Sequence, residues 1–262
     1  MEERITSREN RWIKTYRKLC GQAKERRETG LFAVEGLRLC GEAIRCGLSI
    51  PQLFLTSEAQ RRYGEALKPL LEAAERVFYL SDDLGALMGD TKTPQGVFAV
   101  CRMPKQDSVT LDPQGRYLLL ENIQDPGNLG TMIRTADAFG ITALVLSAGC
   151  TDSYAPRVLR AAMGSAFRLP LLVDQDLGMV VAQMRSANIA VYAATLNPDS
   201  VPVWDLPKNG VAVAVGNEGN GVTPELIAQC EASVHIPMKG EAESLNAATA
   251  AAILLWEISG RI

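Results

Sequence analysis

Residues 211–258, VAVAVGNEGNGVTPELIAQCEASVHIPMKGEAESLNAATAAAILLWEI, decide how this chain is read. Two apolar runs, 211–215 and 232–236, each end in a turn of unusual composition. Gly216-Asn217-Glu218-Gly219-Asn220-Gly221 follows the first, and the second closes in Ile236-Pro237-Met238-Lys239-Gly240. Ser244-Leu245-Asn246 then opens a final helix. In an open α/β sheet, ligands sit beyond the carboxyl ends of strands, where glycine lets backbone approach a bound molecule and polar side chains on the following helices point at it. The stretch therefore predicts an α/β fold with a ligand site at these turns.

The segments before this stretch alternate in the same way. Strand 117–120, helix 129–139, strand 143–147, helix 155–164, strand 169–173, helix 177–188 and strand 189–194 lead into strand 211–215, and a helix at 224–230 joins it to 232–236. The strands are apolar without clean alternation, which implies burial on both faces and a mostly parallel sheet covered by helices. Residues 1–104 carry a second, smaller α/β pattern. It has a basic helix over about 7–28, strands at 31–35, 52–56, 77–80 and 97–102, and helices at 37–46, from 57 to about 75, and just before the last strand. Residues 105–115, polar, aperiodic and bracketed by Pro104 and Pro113, read as the linker to a domain at 116–262.

Composition narrows the class. At 262 residues and 47% apolar, the chain is long enough for one large or two modest packed domains. No apolar run spans a bilayer, and the charged start Met1-Glu2-Glu3-Arg4 has no apolar segment behind it, so the sequence predicts a cytoplasmic protein that uses no membrane. Six scattered cysteines without a C-x-x-C pair, and His235 as the one histidine, argue against a zinc site, a disulfide framework or a Ser-His-Asp mechanism; no metal is expected. The net charge of −3 conceals a basic N-terminal segment holding Arg8, Arg11, Lys14, Lys24, Arg26 and Arg27. Such a segment is either a solvated helix face or a phosphate-facing surface.

Two further segments carry chemistry. In residues 121–136, ENIQDPGNLGTMIRTA, a strand stops, Pro126-Gly127 turns the chain, Asn128 is placed to cap a helix, and Arg134 follows near the helix start. A cation there is misplaced against the helix dipole, so an anion ligand explains it better than stability does; a surface ion pair with Asp137 or Glu121 is the other reading. Residues 154–166 carry Arg157 and Arg160 on a helix that begins at Pro156, positions open to RNA or to solvent. The glycine turn after Val215 also invites a dinucleotide-binding reading. Its spacing, G-x-x-G-x-G, and the absence of a ribose-binding acid after the next strand disfavour it.

Together these segments resemble the SpoU (TrmH-like) family of RNA ribose 2′-O-methyltransferases, within the SPOUT superfamily. The resemblance rests on Asn122 through Arg134-Thr135-Ala136 and Gly140, on Val215 to Gly219 with Gly221-Val222, and on Ile236-Pro237-Met238 with Glu243-Ser244-Leu245-Asn246. Ala247-Ala248-Thr249 departs from the Val-Ser-Val type sequence of many members, though small residues still permit close helix approach. Residues 1–104 look like the family's L30e-like RNA-binding extension through Ser7, Asn10, Lys14, Lys24, Arg26, Gly30, Phe32, Glu35-Gly36 and Pro94-Gln95-Gly96.

The resemblance implies a deep trefoil knot in the C-terminal domain, a homodimer, and S-adenosyl-L-methionine as cofactor. It places the cofactor against Thr195, Leu196, Gly216, Asn217, Gly219, Ile236, Met238, Leu245 and Asn246. It implies catalytic roles for Arg134, Asn128, Glu218, Ser244 and Asn246, and an RNA surface at Arg8, Arg11, Lys14, Lys24, Arg26, Arg27 and Arg157. Ribosomal RNA is the first expected substrate and transfer RNA the second, with no DNA; a noncatalytic RNA-binding knot protein is the rival reading. An arginine, with a pKa above roughly 12, is a poor base near neutrality, so anchoring phosphate and steadying alkoxide charge is the role that physical chemistry assigns to Arg134.

Overall fold

The structure, a computed structural model, describes residues 2–91, 93–104, 110–197 and 199–260. Packing divides them into two units. The first holds the described residues through 104 together with 154–167; the second holds 110–153 and 168–260. Of the expected linker 105–115, residues 105–109 lie outside the described residues.

In the first unit, short apolar runs pair into one mixed sheet of order β1-β4-β3-β5-β2. Its strands are β1 (Glu2–Ile5), β2 (Leu31–Glu35), β3 (Gln52–Thr56), β4 (Val77–Leu80) and β5 (Val97–Arg102). β4 runs parallel to β1 and β3, and β5 antiparallel to β2 and β3. β1 has no periodic signal in the sequence. It is an edge strand with one buried apolar side chain, Ile5, in register with Leu80.

The expected basic helix over 7–28 is two helices, Arg11–Gly21 and Ala23–Thr29, broken at Gln22 (φ −127°, ψ 110°). Asn10 caps the first by accepting from Trp12 N, and its inner face buries Ile13, Tyr16 and Leu19. Ending a helix at Gly21 leaves carbonyls without helical partners. The guanidinium of Arg26 donates to two of them, Leu19 O and Cys20 O, and is 3% exposed. The assignment of Arg26 to an RNA surface is therefore corrected: it is a buried helix-end donor. The helix expected from 57 to about 75 is likewise interrupted, at Gly64, into Ser57–Tyr63, a 3-10 turn and Lys68–Ala73.

Residues 154–167, which a linear division places in the C-terminal domain, pack inside the first unit. Tyr154 and Phe167 pack their tilted rings against Phe32 at centroid distances of 4.9 and 5.6 Å, and Arg160 pairs with Asp90 at 2.8 Å. The linear pattern cannot reveal this, because aromatic side chains so far apart in sequence carry no shared period.

The second unit is a seven-stranded sheet in which every pairing is parallel, as the unalternating apolar strands predict. Its strands are β6 (Arg116–Leu120), β7 (Ala143–Ser147), β8 (Leu171–Gln175), β9 (Ala190–Ala194), β10 (Val201–Pro202), β11 (Val211–Val215) and β12 (Ala232–His235), in the order β10-β12-β9-β11-β6-β7-β8. Tyr117, Leu119, Val145 and Ala212 pack with Val180, Val181 and Met184 of helix Leu177–Ser186. β11 lies at the centre, fully buried, between β9 and β6. Because β9, β11 and β12 are neighbours that run the same way, the turns leaving them at 195, 216 and 236 emerge at one end of the sheet.

Candidate active site

Those three turns, joined by the entry to helix Ala247–Ser259, enclose a cavity of about 390 Å3. Thr195 and Leu196, Gly216, Asn217 and Gly219, Ile236 and Met238, and Leu245 all line it, as do Glu218 and Ser244. Asn246 is not among the lining residues. The sequence pattern did not single out the wall formed by the last helix, Ala247, Ala250 and Leu254. Their spacing of three and four is a legible helix face.

The glycine turn folds back on itself. Asn217 N donates to Gly221 O and Gly221 N to Asn217 O, at 3.1 and 2.9 Å, while the Asn217 carboxamide oxygen accepts from Gly219 N and Asn220 N. A Cβ at Gly216 would lie 2.0–2.2 Å from backbone atoms of Gly221 and Val222, so only glycine permits this closure.

Polar groups from three distant segments meet at the cavity's mouth. Asn246 Oδ1 caps the last helix by accepting from Ala248 N and Thr249 N, and its Nδ2 donates to Asn128 Oδ1 at 2.9 Å. Asn128 Nδ2 in turn donates to Glu218 Oε1 at 3.0 Å, and the Glu218 carboxylate also accepts from Gln124 N and Asp125 N. Burial opposes charge on Glu218. The hydrogen bonds from Asn128 and from backbone amides outweigh it and hold the carboxyl below the usual carboxylate range, so it is ionised at neutral pH.

This arrangement depends on Asn122, whose φ of 56° is left-handed. Ser147 Oγ accepts from Asn122 N at 2.9 Å and donates to its side-chain oxygen, and Asn122 O receives Asn217 Nδ2.

Asn128 is not the helix cap. Asp125 is, accepting from Asn128 N at 2.8 Å, with Pro126 at the first helical position, where its fixed φ is preorganised. The helix accordingly runs Pro126–Ala138, and Arg134 lies in its second half rather than near its start. The helix dipole therefore says nothing about Arg134, but the neighbouring acids do. Asp137 pairs with Arg168 at 2.7 Å, and both oxygens of Glu121 accept from Thr223. Arg134 is exposed on the same helical stripe as Gly127 and Thr131, and no hydrogen bond or ion pair engages it among the described residues. Both carboxylates that would explain it as a surface pair are occupied.

The donors and walls suit a nucleoside-like ligand that carries a positive charge. Thr195 Oγ1 is buried without a hydrogen-bond partner, Leu196 and Met238 are exposed apolar side chains at the rim, and the Glu218 carboxylate adjoins them. An orphaned buried hydroxyl costs free energy unless something completes it.

A profile described as the SpoU rRNA Methylase family matches residues 115–256, and one described as an MRM3-like substrate binding domain matches residues 10–99. The chain belongs to the SpoU rRNA methylase family. This SpoU chain is 36% identical to the 23S rRNA (guanosine(2553)-2′-O)-methyltransferase RlmP of Bacillus subtilis, over 98% of itself and 100% of the relative. The structure of an AdoMet-bound rRNA methyltransferase from Sinorhizobium meliloti superposes with a TM-score of 0.85 at 31% identity, covering 98% and 97% of the two chains. The SpoU methyltransferase AviRb from Streptomyces viridochromogenes, in complex with the cofactor AdoMet, does so with a TM-score of 0.85 at 29% identity, covering 95% and 97%.

Proposed function

We propose that this chain is an RNA methyltransferase that uses S-adenosylmethionine to methylate a ribose 2′-hydroxyl of ribosomal RNA. The carrying observation is the convergence of the turns at 195, 216, 236 and 245 on one cavity, whose mouth is tied by Asn246, Asn128 and Glu218 to the helix bearing the unpaired Arg134. Membership of the SpoU family supports the reaction, and the relatives' ribosomal substrates support ribosomal over transfer RNA. Arg134, Asn128 and Glu218, whose loss a noncatalytic RNA binder would tolerate, are all present in the sequence, which disfavours that rival.

When bound, S-adenosylmethionine supplies a methyl group on a positively charged sulfur. In this reading Thr195, the closed turn at Gly216 and the apolar rim hold the cofactor. The ionised Glu218 favours the cationic ligand and keeps Asn128 in place. Ser244 and Asn246 position the ribose, and Arg134 anchors the neighbouring phosphate and stabilises charge on the 2′-oxygen. A 2′-hydroxyl acceptor selects RNA over DNA.

The finer features of the reading are a trefoil knot in 116–262, an L30e-like fold for 1–104, a homodimer and a cytoplasmic location. Placement of β11 between β9 and β6, with β12 added outside β9, is compatible with a threaded C-terminus. For the dimer, the apolar run of the last helix carries less weight than its composition suggests: Ala251, Leu254, Leu255 and Ile258 are buried within the second unit. What supports an interface is Trp256, 42% exposed and set against Phe139 at 5.5 Å. Six free thiols suit a reducing compartment.

Single-turnover methylation of an unmodified large-subunit ribosomal RNA transcript tests the assignment. Arg134→Ala should slow turnover by about a hundredfold or more, as loss of an oxyanion donor does. Arg134→Lys should rescue little, because an ammonium cannot reproduce the planar two-pronged contact. S-Adenosylhomocysteine affinity, read by calorimetry, should barely change in either; near-normal methylation by the alanine variant would remove Arg134 from the mechanism.

A further inference from the structure

The basic residues of the first unit are not equivalent once their partners are known. In helix Ala23–Thr29, Lys24 pairs with Glu28, Arg26 is buried and Glu25 sits beside them, so that Arg27 is its one exposed cation without an ion pair among the described residues, and no aromatic ring holds it there. Helix Arg11–Gly21, by contrast, carries Arg11, Lys14, Arg17 and Lys18 and no acid of its own. Lys14 is drawn to Glu9 at 2.6 Å and Lys18 to Glu25 at 4.0 Å. Arg11 instead lies over the ring of Trp12, 4.4 Å from its centroid, and Arg76, just before β4, approaches the same ring at 5.5 Å. Trp12 is half-buried, its ring resting on Phe78 at 5.6 Å. Glu3 shares this face, in register with Phe78, yet no ion pair joins it to either arginine among the described residues.

Stacking on an aromatic face holds a guanidinium plane still while leaving its N–H edge outward, and such an edge matches phosphate in a two-pronged geometry. Two arginines over one indole, neither engaged in an ion pair among the described residues, form a cationic platform rather than a set of solvated side chains. Unpaired RNA, whose phosphates and bases are both accessible, is the ligand such a combination fits.

We propose that Arg11 and Trp12 at the start of helix Arg11–Gly21, together with Arg76 just before β4, are the centre of the RNA-binding surface of the first unit, and that helix Ala23–Thr29 is not part of it. This rests on the reading of the chain as an RNA methyltransferase.

The test uses the full chain with Trp204→Phe and Trp256→Phe, which leaves Trp12 as its single tryptophan. The probe is an unmodified large-subunit ribosomal RNA transcript, titrated at several salt concentrations, with circular dichroism confirming the fold of each variant. Arg11→Gln with Arg76→Gln should weaken binding about tenfold and lower the slope of log Kd against log salt by about 2, roughly one for each phosphate no longer engaged. Arg11→Lys with Arg76→Lys should recover only part, and Lys24→Gln with Arg27→Gln should change neither quantity. Trp12 fluorescence should shift on binding. Equal losses from the two glutamine pairs, or full recovery with lysine, would overturn the platform and leave a diffuse cationic face. A parent chain that does not bind the transcript at all would overturn the RNA reading itself.

Discussion

The mouth of the cavity and the basic helices of the first unit treat polar groups in opposite ways. At the mouth, Asn246 meets Asn128 across 118 positions of sequence, and Asn128 meets Glu218 across 90. In the basic helices, Lys14 finds Glu9 and Lys24 finds Glu28 within a turn or so of chain. Local pairs form in almost any folded or partly folded state and contribute little. Long-range polar contacts exist only when several strands and loops are already in place, so they report the fold as a whole. The same contrast separates two arginines that look alike in sequence: Arg26 is consumed by the ends of its own neighbouring helix, whereas Arg134 is left open because other groups have taken the nearby carboxylates.

Substitutions can sharpen this contrast. The largest effect belongs to Gly216→Ala, where the new Cβ would meet the backbone of Gly221 and Val222 and force the turn open. S-Adenosylhomocysteine binding should fall below detection in calorimetry while far-ultraviolet circular dichroism stays normal; retained binding would mean that the turn is not part of the cofactor site. Next comes Arg26→Met, which strands Leu19 O and Cys20 O and should cost about 1–3 kcal/mol in urea unfolding. An RNA-binding loss without a stability loss would contradict its structural role.

Glu218→Gln should act through pH. A carboxyl held below its ordinary value in the folded protein contributes stability that is present above the unfolded value and lost as pH falls through the folded one. The gap in unfolding free energy between the parent chain and Glu218→Gln should therefore hold from neutrality down to the ordinary carboxylate range and close below it. Parallel pH profiles would remove Glu218 from the network. The smallest effect is expected of Lys24→Ser, within about 0.5 kcal/mol in thermal unfolding, since an exposed pair is all it breaks; a larger shift would blur the distinction between the two regions.

Much of this was legible beforehand, for identifiable reasons. Strands such as Leu31–Glu35, Gln52–Thr56, Ala143–Ser147 and Val211–Val215 have the bounds that the sequence predicts, because uninterrupted apolar runs between turn residues leave few alternatives. Glycine and asparagine in the 216–221 turn pointed to a ligand because those residues tolerate backbone that others do not. The break at Gln22 carries only a weak mark, Gly21 after a last turn with Lys18, which the basic helical pattern continuing on its far side overrides. The edge strand Glu2–Ile5 was not legible, since its partner β4 supplies the pairing that its own composition does not suggest.

The sequence by itself determined most of the apolar strands, the parallel character of the second sheet and the turns that line the cavity, because burial period and turn chemistry act over a few residues. Only the tertiary structure decided which polar groups are spent and which are free. It buried Arg26, gave Asp137 and Glu121 to other partners, joined Asn246 through Asn128 to Glu218, and packed 154–167 against Phe32. A hydrogen bond or ion pair is chosen by distance in space. Distance in space is settled by how the sheets pair, which no single segment encodes.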